Sequence, residues 1–148
     1  MENKSKASLL VVDDEVEIQQ MLSRHFRFLG YDVETASNGR EALELLAKKR
    51  TEVIISDIKM PQLDGIELLK IVKEQHPMSH VIIITGYVTL DNLLAVFRRG
   101  ADTCIFKPWH DMSELESAVA HAFETIKIWK HKLRQLYEMK PPERRGDG

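Results

Sequence analysis

Short apolar runs, recurring between longer amphipathic stretches, constrain this chain more than any other feature of its sequence. Runs of about four to six residues suit a buried strand and are too short for a buried helix. Leu9-Leu10-Val11-Val12, Val53-Ile54-Ile55 and Val81-Ile82-Ile83-Ile84 show no alternation, so they read as central strands covered on both faces. Tyr31-Asp32-Val33-Glu34-Thr35 alternates instead, as an edge strand does. The expected strands are Ser8 to Val12, Asp32 to Ala36, Val53 to Ser56, Val81 to Thr85 and Thr103 to Phe106.

Helices are expected at Val16 to Leu29, Gly39 to Lys48, Gly65 to Glu74, Leu90 to Arg99 and from Ser113 onward. Gly30 and Gly100 stand where a helix can end in a left-handed residue, and Asn38 and Asp64 can cap helix starts. Pro77 closes the third helical region because it cannot continue the hydrogen-bond ladder. Strict alternation of strand and helix, with right-handed crossovers, gives an α/β fold with a doubly wound parallel sheet. Such sheets bind ligands beyond the carboxyl ends of their strands, at a switch in strand order.

The residues just past the strands are Asp13-Asp14-Glu15, Asp57, Thr85-Gly86 and Lys107-Pro108. Carboxylates gathered at one sheet end repel one another unless a hard cation sits among them, and a site with few protein oxygens suits Mg²⁺. Taken singly, each residue has a plainer reading. An Asp after a strand is often a cap or turn former, Thr85 a strand end and Lys107 a surface charge. Only their joint occurrence points to chemistry.

Composition narrows the alternatives. A chain of 148 residues has room for one domain and a short extension. Residues 1–123 carry 14 Lys+Arg against 19 Asp+Glu, a net −5, whereas residues 124–148 carry 7 against 4, a net +3. The acidic body disfavours a nucleic-acid surface. Cys104 has no partner for an internal disulfide, and no Cys/His spacing resembles a zinc site. The first apolar run is too short for a signal peptide core or a membrane span, so a cytoplasmic protein without membrane contact is expected.

Four segments then resemble one family. LLVVDDE, DIKMPQLDG, IIITG and GADTCIFKP are similar, in order and spacing, to the receiver domains of two-component response regulators. The resemblance covers roughly Ser8 to Phe123. It implies a flavodoxin-like (βα)5 fold with strand order 2-1-3-4-5. It also implies that Asp57 takes a phosphoryl group from a sensor histidine kinase or a histidine phosphotransfer protein, forming an acyl phosphate. By the same resemblance Asp14 and Asp57 ligate Mg²⁺, with Asp13 helping directly or through water and the Lys59 backbone carbonyl completing the set. Lys107 and Thr85 would hold phosphoryl oxygens, and a cis peptide bond would precede Pro108. The implied output is a changed protein-interaction surface, with catalysis limited to self-catalysed phosphotransfer and autodephosphorylation.

Some positions depart from that pattern. Cys104 stands where the family usually has an aromatic switch residue, and Phe106 is expected on the opposite face of the strand, as core or interface. Lys59 and Tyr87, each two residues beyond Asp57 and Thr85, border the route of an attacking water. They are expected either to shield the acyl phosphate or to point into solvent.

Beyond the fifth strand, Leu115, Val119, Ala122, Ile126, Trp129, Leu133 and Leu136 fall in alternating steps of four and three, a heptad seam. A receiver needs only the first half of it. The expected organisation is a tail at 1–7, the receiver at 8–123, a helical extension at 124–140 and a disordered tail at 141–148. From Ile126 to Leu136 the seam lacks an obvious intramolecular partner, so the extension is expected to form a homodimer or to join a downstream output domain, ahead of the alternative that it folds back on its own domain. Lys127, Lys130, Lys132 and Arg134 read as its solvated flank. No DNA-binding motif follows, and a stand-alone receiver and a piece of a longer regulator remain equally open.

Two other phosphate-handling classes fit poorly. A haloacid-dehalogenase-type phosphatase needs an Asp two residues after its nucleophile, whereas Glu15 follows Asp13 and Lys59 follows Asp57. A flavin-binding protein needs a hydroxyl- and glycine-rich loop after the first strand, where Asp13-Asp14-Glu15 would repel a cofactor phosphate. A pseudo-receiver would leave the intact set of Asp13, Asp14, Asp57, Thr85 and Lys107 unexplained.

Overall fold

The computed structural model describes residues 7–108 and 111–139. Apart from Ala7, the expected tails at 1–7 and 141–148 lie outside these residues. Five strands and five helices alternate: β1 Ser8–Val12, α1 Val16–Phe28, β2 Asp32–Ala36, α2 Gly39–Lys48, β3 Val53–Asp57, α3 Gly65–Gln75, β4 His80–Thr85, α4 Leu90–Arg98, β5 Thr103–Phe106 and α5 Ser113–Glu138. The strands are parallel and ordered β2-β1-β3-β4-β5. The alternating strand is at an edge, and the runs of unbroken apolar residues lie inside, as the polarity pattern requires.

Two hydrophobic layers flank the sheet. On one side Leu22 and Phe26 of α1 and Leu115, Val119 and Ala122 of α5 cover Val11, Ile55, Ile82 and Ile84. On the other, Leu46 of α2, Leu68 and Val72 of α3 and Val96 of α4 cover Val12, Ile54, Ile83 and Val81. Each fully buried side chain of this kind contributes roughly 1.5–3 kcal/mol, so the central strands carry most of the fold's stability.

Helix boundaries follow the local chemistry. Asn38 accepts the Glu41 amide at 2.9 Å while Glu41 accepts the Ser37 amide at 2.8 Å, and Asp64 accepts the Glu67 amide at 2.9 Å. Thr89, which sequence reading did not single out, caps α4 in the same way, accepting the Asn92 amide at 3.1 Å. Gly30 and Gly100 adopt φ of 102° and 91° just past α1 and α4, conformations open to glycine.

Three expectations need correction. Phe106 lies two residues from Cys104, and strand alternation puts both on the same face, not opposite ones. Cys104 packs against the layer formed by α2, α3 and α4, while Phe106 is 45% exposed and outside either core. The seam of α5 also stays in the core further than expected. Ile126 is buried with the sheet, and only Trp129, Leu133 and Leu136 are exposed. Nor is Lys130 merely solvated, since its Nζ meets Glu52 Oε2 at 2.7 Å.

Candidate functional site

Parallel register brings the loops of interest level with one another. Val12 pairs with Ser56, Asp57 with Ile84 and Thr85 with Phe106, so the residues that follow β1, β3, β4 and β5 meet at one sheet end. Asp13, Asp14 and Asp57 each offer a carboxylate oxygen within 4.8 Å of the others. Asp13 is fully buried and Asp57 nearly so, whereas Asp14 is exposed.

Lys107 enters this cluster from the end of β5. Its Nζ lies 3.0 Å from Asp13 Oδ2, 3.1 Å from Asp57 Oδ2 and 3.3 Å from Glu15 Oε1. The resemblance pairs it with Asp57 alone, so the contacts to Asp13 and Glu15 are additions from the structure. Asp57 Oδ1 accepts the Ile58 amide at 2.7 Å, and Asp13 Oδ1 accepts the Glu15 amide at 2.9 Å. The Lys107–Pro108 peptide is cis, as expected.

These distances leave an electrostatic imbalance. Burial raises the Asp57 carboxyl above the usual range, and Asp14 adds to the rise. The charge and hydrogen bond of Lys107, with the Ile58 amide, oppose it without cancelling it. Burial raises Asp13 likewise, with the Asp57 charge adding to it and the Glu15 amide and Lys107 opposing. For Lys107 itself burial disfavours the ammonium, but its bond to Asp13 and the charges of Asp57 and Asp13 outweigh that and hold it above the ordinary lysine range. One lysine does not balance three carboxylates. The all-oxygen donor set is what a hard divalent cation requires, so the residues present fit Mg²⁺.

A cleft of about 380 Å³ opens above the cluster, lined by Asp14, Glu15, Asp57, Lys59, Gly86, Tyr87 and Lys107. Lys59 and Tyr87 meet across its mouth. Lys59 Nζ is 3.2 Å from the Tyr87 hydroxyl and 4.4 Å from the ring centroid. Both side chains are exposed and line the cleft. Thr85 is buried, and its Oγ1 accepts the Tyr87 amide at 2.9 Å. Cys104 is half-buried, and burial raises its thiol above the usual range, with the Glu114 charge adding to the effect.

Residues that sequence reading missed hold this arrangement in place. Gln19 Nε2, one turn into α1, donates to the Asp13 carbonyl at 2.6 Å and to Ser37 Oγ at 3.1 Å, tying the β1 loop to the β2 loop. Ser56 Oγ donates to the Asp57 carbonyl at 2.8 Å. Gly65 donates its amide to the Ile58 carbonyl at 2.8 Å, and a Cβ there would collide with the Asp57 carbonyl. Only Gly65 carried a signal, as the glycine closing DIKMPQLDG.

Comparison with known proteins gives a consistent result. The family model described as the response regulator receiver domain matches residues 9–120. The regulatory protein AtoC of Escherichia coli is 35% identical over 130 residues, which cover 88% of this chain and 28% of that protein. The DNA-binding transcriptional regulator NtrC of the same organism is 41% identical over 115 residues, covering 75% of this chain and 24% of that one. The chain thus spans about a quarter of the length of these two relatives. Sporulation initiation phosphotransferase F of Bacillus subtilis is 38% identical over 111 residues, 75% of this chain and 89% of its own. Among solved structures, a CheY-like receiver domain protein from Methanospirillum hungatei superposes with a TM-score of 0.78 at 32% identity, covering 83% of this chain and 98% of that one. The beryllofluoride-activated NtrC4 receiver domain dimer gives 0.74 at 35% identity, covering 80% and 97%.

Proposed function

The chain belongs to the response regulator receiver domain family, and from that premise we propose that it accepts a phosphoryl group on Asp57 and passes the event on as a changed protein-interaction surface. The observation that carries this reading is the meeting of Asp13, Asp14, Asp57 and Lys107 at the carboxyl end of the sheet.

Asp57 is the nucleophile. One of its carboxylate oxygens forms a bond to phosphorus as the bond from phosphorus to a donor histidine nitrogen breaks, leaving an acyl phosphate on the protein. Mg²⁺ held by Asp14, Asp57 and the Lys59 backbone carbonyl, with Asp13 directly or through water, would offset the charge shared by carboxylate and phosphoryl group. Lys107 already touches Asp57 and transfers its hydrogen bond to a phosphoryl oxygen. The Thr85 hydroxyl accepts from the Tyr87 amide and can donate its own proton to another phosphoryl oxygen. Drawing Thr85 inward moves the β4–α4 loop with it, and this biases the adjoining surface. Cys104 cannot act there as a bulky aromatic rotor, so the loop carries the switch.

The Lys59–Tyr87 contact narrows the cleft mouth and slows entry of a hydrolytic water, which prolongs the phosphorylated state. The phosphodonor is a sensor histidine kinase or a histidine phosphotransfer protein. This reading places the chain in the cytoplasm. No helix among the described residues is long and apolar enough to cross a membrane. The net negative charge of residues 1–123 disfavours nucleic acid there, so we assign any contact with DNA to a separate output domain or partner.

The test is incubation with acetyl phosphate and Mg²⁺ followed by intact mass measurement. One phosphoryl group should add to the wild-type chain and none to Asp57→Asn or to a sample treated with chelator. Equal uptake by Asp57→Asn would end the proposal.

A further inference from the structure

At the opposite end of the sheet α5 overshoots the domain and builds a second concave surface. The Lys130–Glu52 contact ties the overshooting helix to the loop before β3. Between that helix and the loops before β3 and β4 lies a groove of about 500 Å³, with apolar walls from Trp129, Leu133 and Leu136 on one side and Met78 on the other. These walls are open to solvent: Trp129 is 59% exposed, Leu133 51% and Leu136 61%. Arg50 and Lys132 stand on the rim.

We propose that this groove receives an amphipathic helix from another protein, apolar on the face it buries and acidic along its flanks. The spacing selects a helix, because apolar residues in steps of three and four form the holes that a second helix fills with knobs. The charges select its flanks. Glu52 is the one acid among the lining residues and is matched by Lys130, so Arg50 and Lys132 leave a positive excess at the rim.

A second copy of this chain meets these conditions less well. As far as Ile126 the seam of α5 is covered by its own sheet, so a parallel second α5 would run into the body of the domain. An antiparallel copy can match Trp129 with Leu133 on the exposed part of the seam. It then sets one basic rim against another, with no acid among the groove's lining residues left to match Lys132 once Lys130 has taken Glu52, and like charges facing across such a seam are unfavourable.

The experiment uses the full chain and two labelled helical peptides of about 18 residues, sharing leucines at heptad spacing but flanked by Glu in one and Lys in the other. Fluorescence anisotropy measures binding, and sedimentation of the chain alone measures self-association. The Glu-flanked peptide should bind roughly tenfold tighter than the Lys-flanked one, and added salt should weaken it. The exposed pair Arg50→Glu/Lys132→Glu should reverse the preference, and Leu133→Ser should weaken both peptides. Phosphoryl uptake on Asp57 should be unchanged in these variants, so the groove and the acidic site fail or stand separately. Equal binding of the two peptides, no binding of either, or a dimer that the Glu-flanked peptide does not dissociate would overturn the proposal.

Discussion

The two ends of the sheet are built on opposite principles. At the carboxyl end, charges are buried, shared and incompletely balanced, with Lys107 set among Asp13, Glu15 and Asp57. At the amino end, apolar side chains of the groove are left exposed beside the Lys130–Glu52 ion pair. Both departures from ordinary burial cost stability, and on the readings proposed above each would be relieved by something added from outside: a cation and a phosphoryl group at one end, an apolar helix face at the other. The difference marks the two ends as the places to test for function, because a fold of this kind does not otherwise need buried acids or exposed tryptophan and leucine.

The largest effect that sharpens this comparison lies within α5. Ile126→Ala should destabilise the chain by about 2–4 kcal/mol, because it opens a cavity beneath the sheet. Chemical denaturation would show it as a lower midpoint. A loss below about 1 kcal/mol would mean that Ile126 belongs to the exposed surface and that the helix leaves the domain earlier.

At the acidic end, the Lys59–Tyr87 contact should govern the lifetime of the acyl phosphate. Lys59→Ala, Tyr87→Ala and the double variant should each lose phosphate several-fold faster, by similar amounts because they break one shared contact. Phosphate release after rapid removal of the donor measures this. Unchanged rates would leave the two side chains as surface residues.

Asp13→Asn should stabilise the metal-free chain at neutral pH, read as a higher Tm in thermal unfolding. The sign follows from the raised Asp13 carboxyl. A group that holds its proton more tightly when folded destabilises the fold as pH rises, starting from the ordinary Asp value of about 4 and reaching its full extent above the raised folded value. The gain should therefore vanish in acid. A Tm that falls at neutral pH would mean that the Lys107 contact outweighs the burial cost.

The smallest effect belongs to the groove. Leu133→Ala should change stability by less than about 0.5 kcal/mol, since the side chain has little to lose in the isolated chain. A larger loss would show that the exposed half of the seam is packed in solution.

The two ends also differ in how far they could be read from sequence. Val81 to Ile84 announced a central strand because no polar residue interrupts it, yet β4 begins at His80, a polar residue that pairs with Val53. Alternation of elements gave the doubly wound class, but the order β2-β1-β3-β4-β5 came from family resemblance, because periodicity does not say which strands are neighbours. Asp13, Asp14, Asp57, Thr85 and Lys107 were legible as residues that follow strands. The Lys107–Asp13 contact was not, since it joins residues 94 apart and depends on register. Gln19 gave no sign of its role because a glutamine inside a helix is ordinary, and only the fold brings it to the Asp13 carbonyl. The heptad seam was visible as a pattern, but where burial stops along it is a property of the sheet's edge.

The central claim is that Asp57 becomes the phosphorylated carboxylate, an acyl phosphate. The most direct measurement is to phosphorylate the chain, reduce the acyl phosphate with borohydride and locate the resulting homoserine by peptide mass spectrometry. Homoserine at position 57 and nowhere else is the predicted result, and homoserine at position 13 or 14, or no conversion despite phosphoryl uptake, would contradict it.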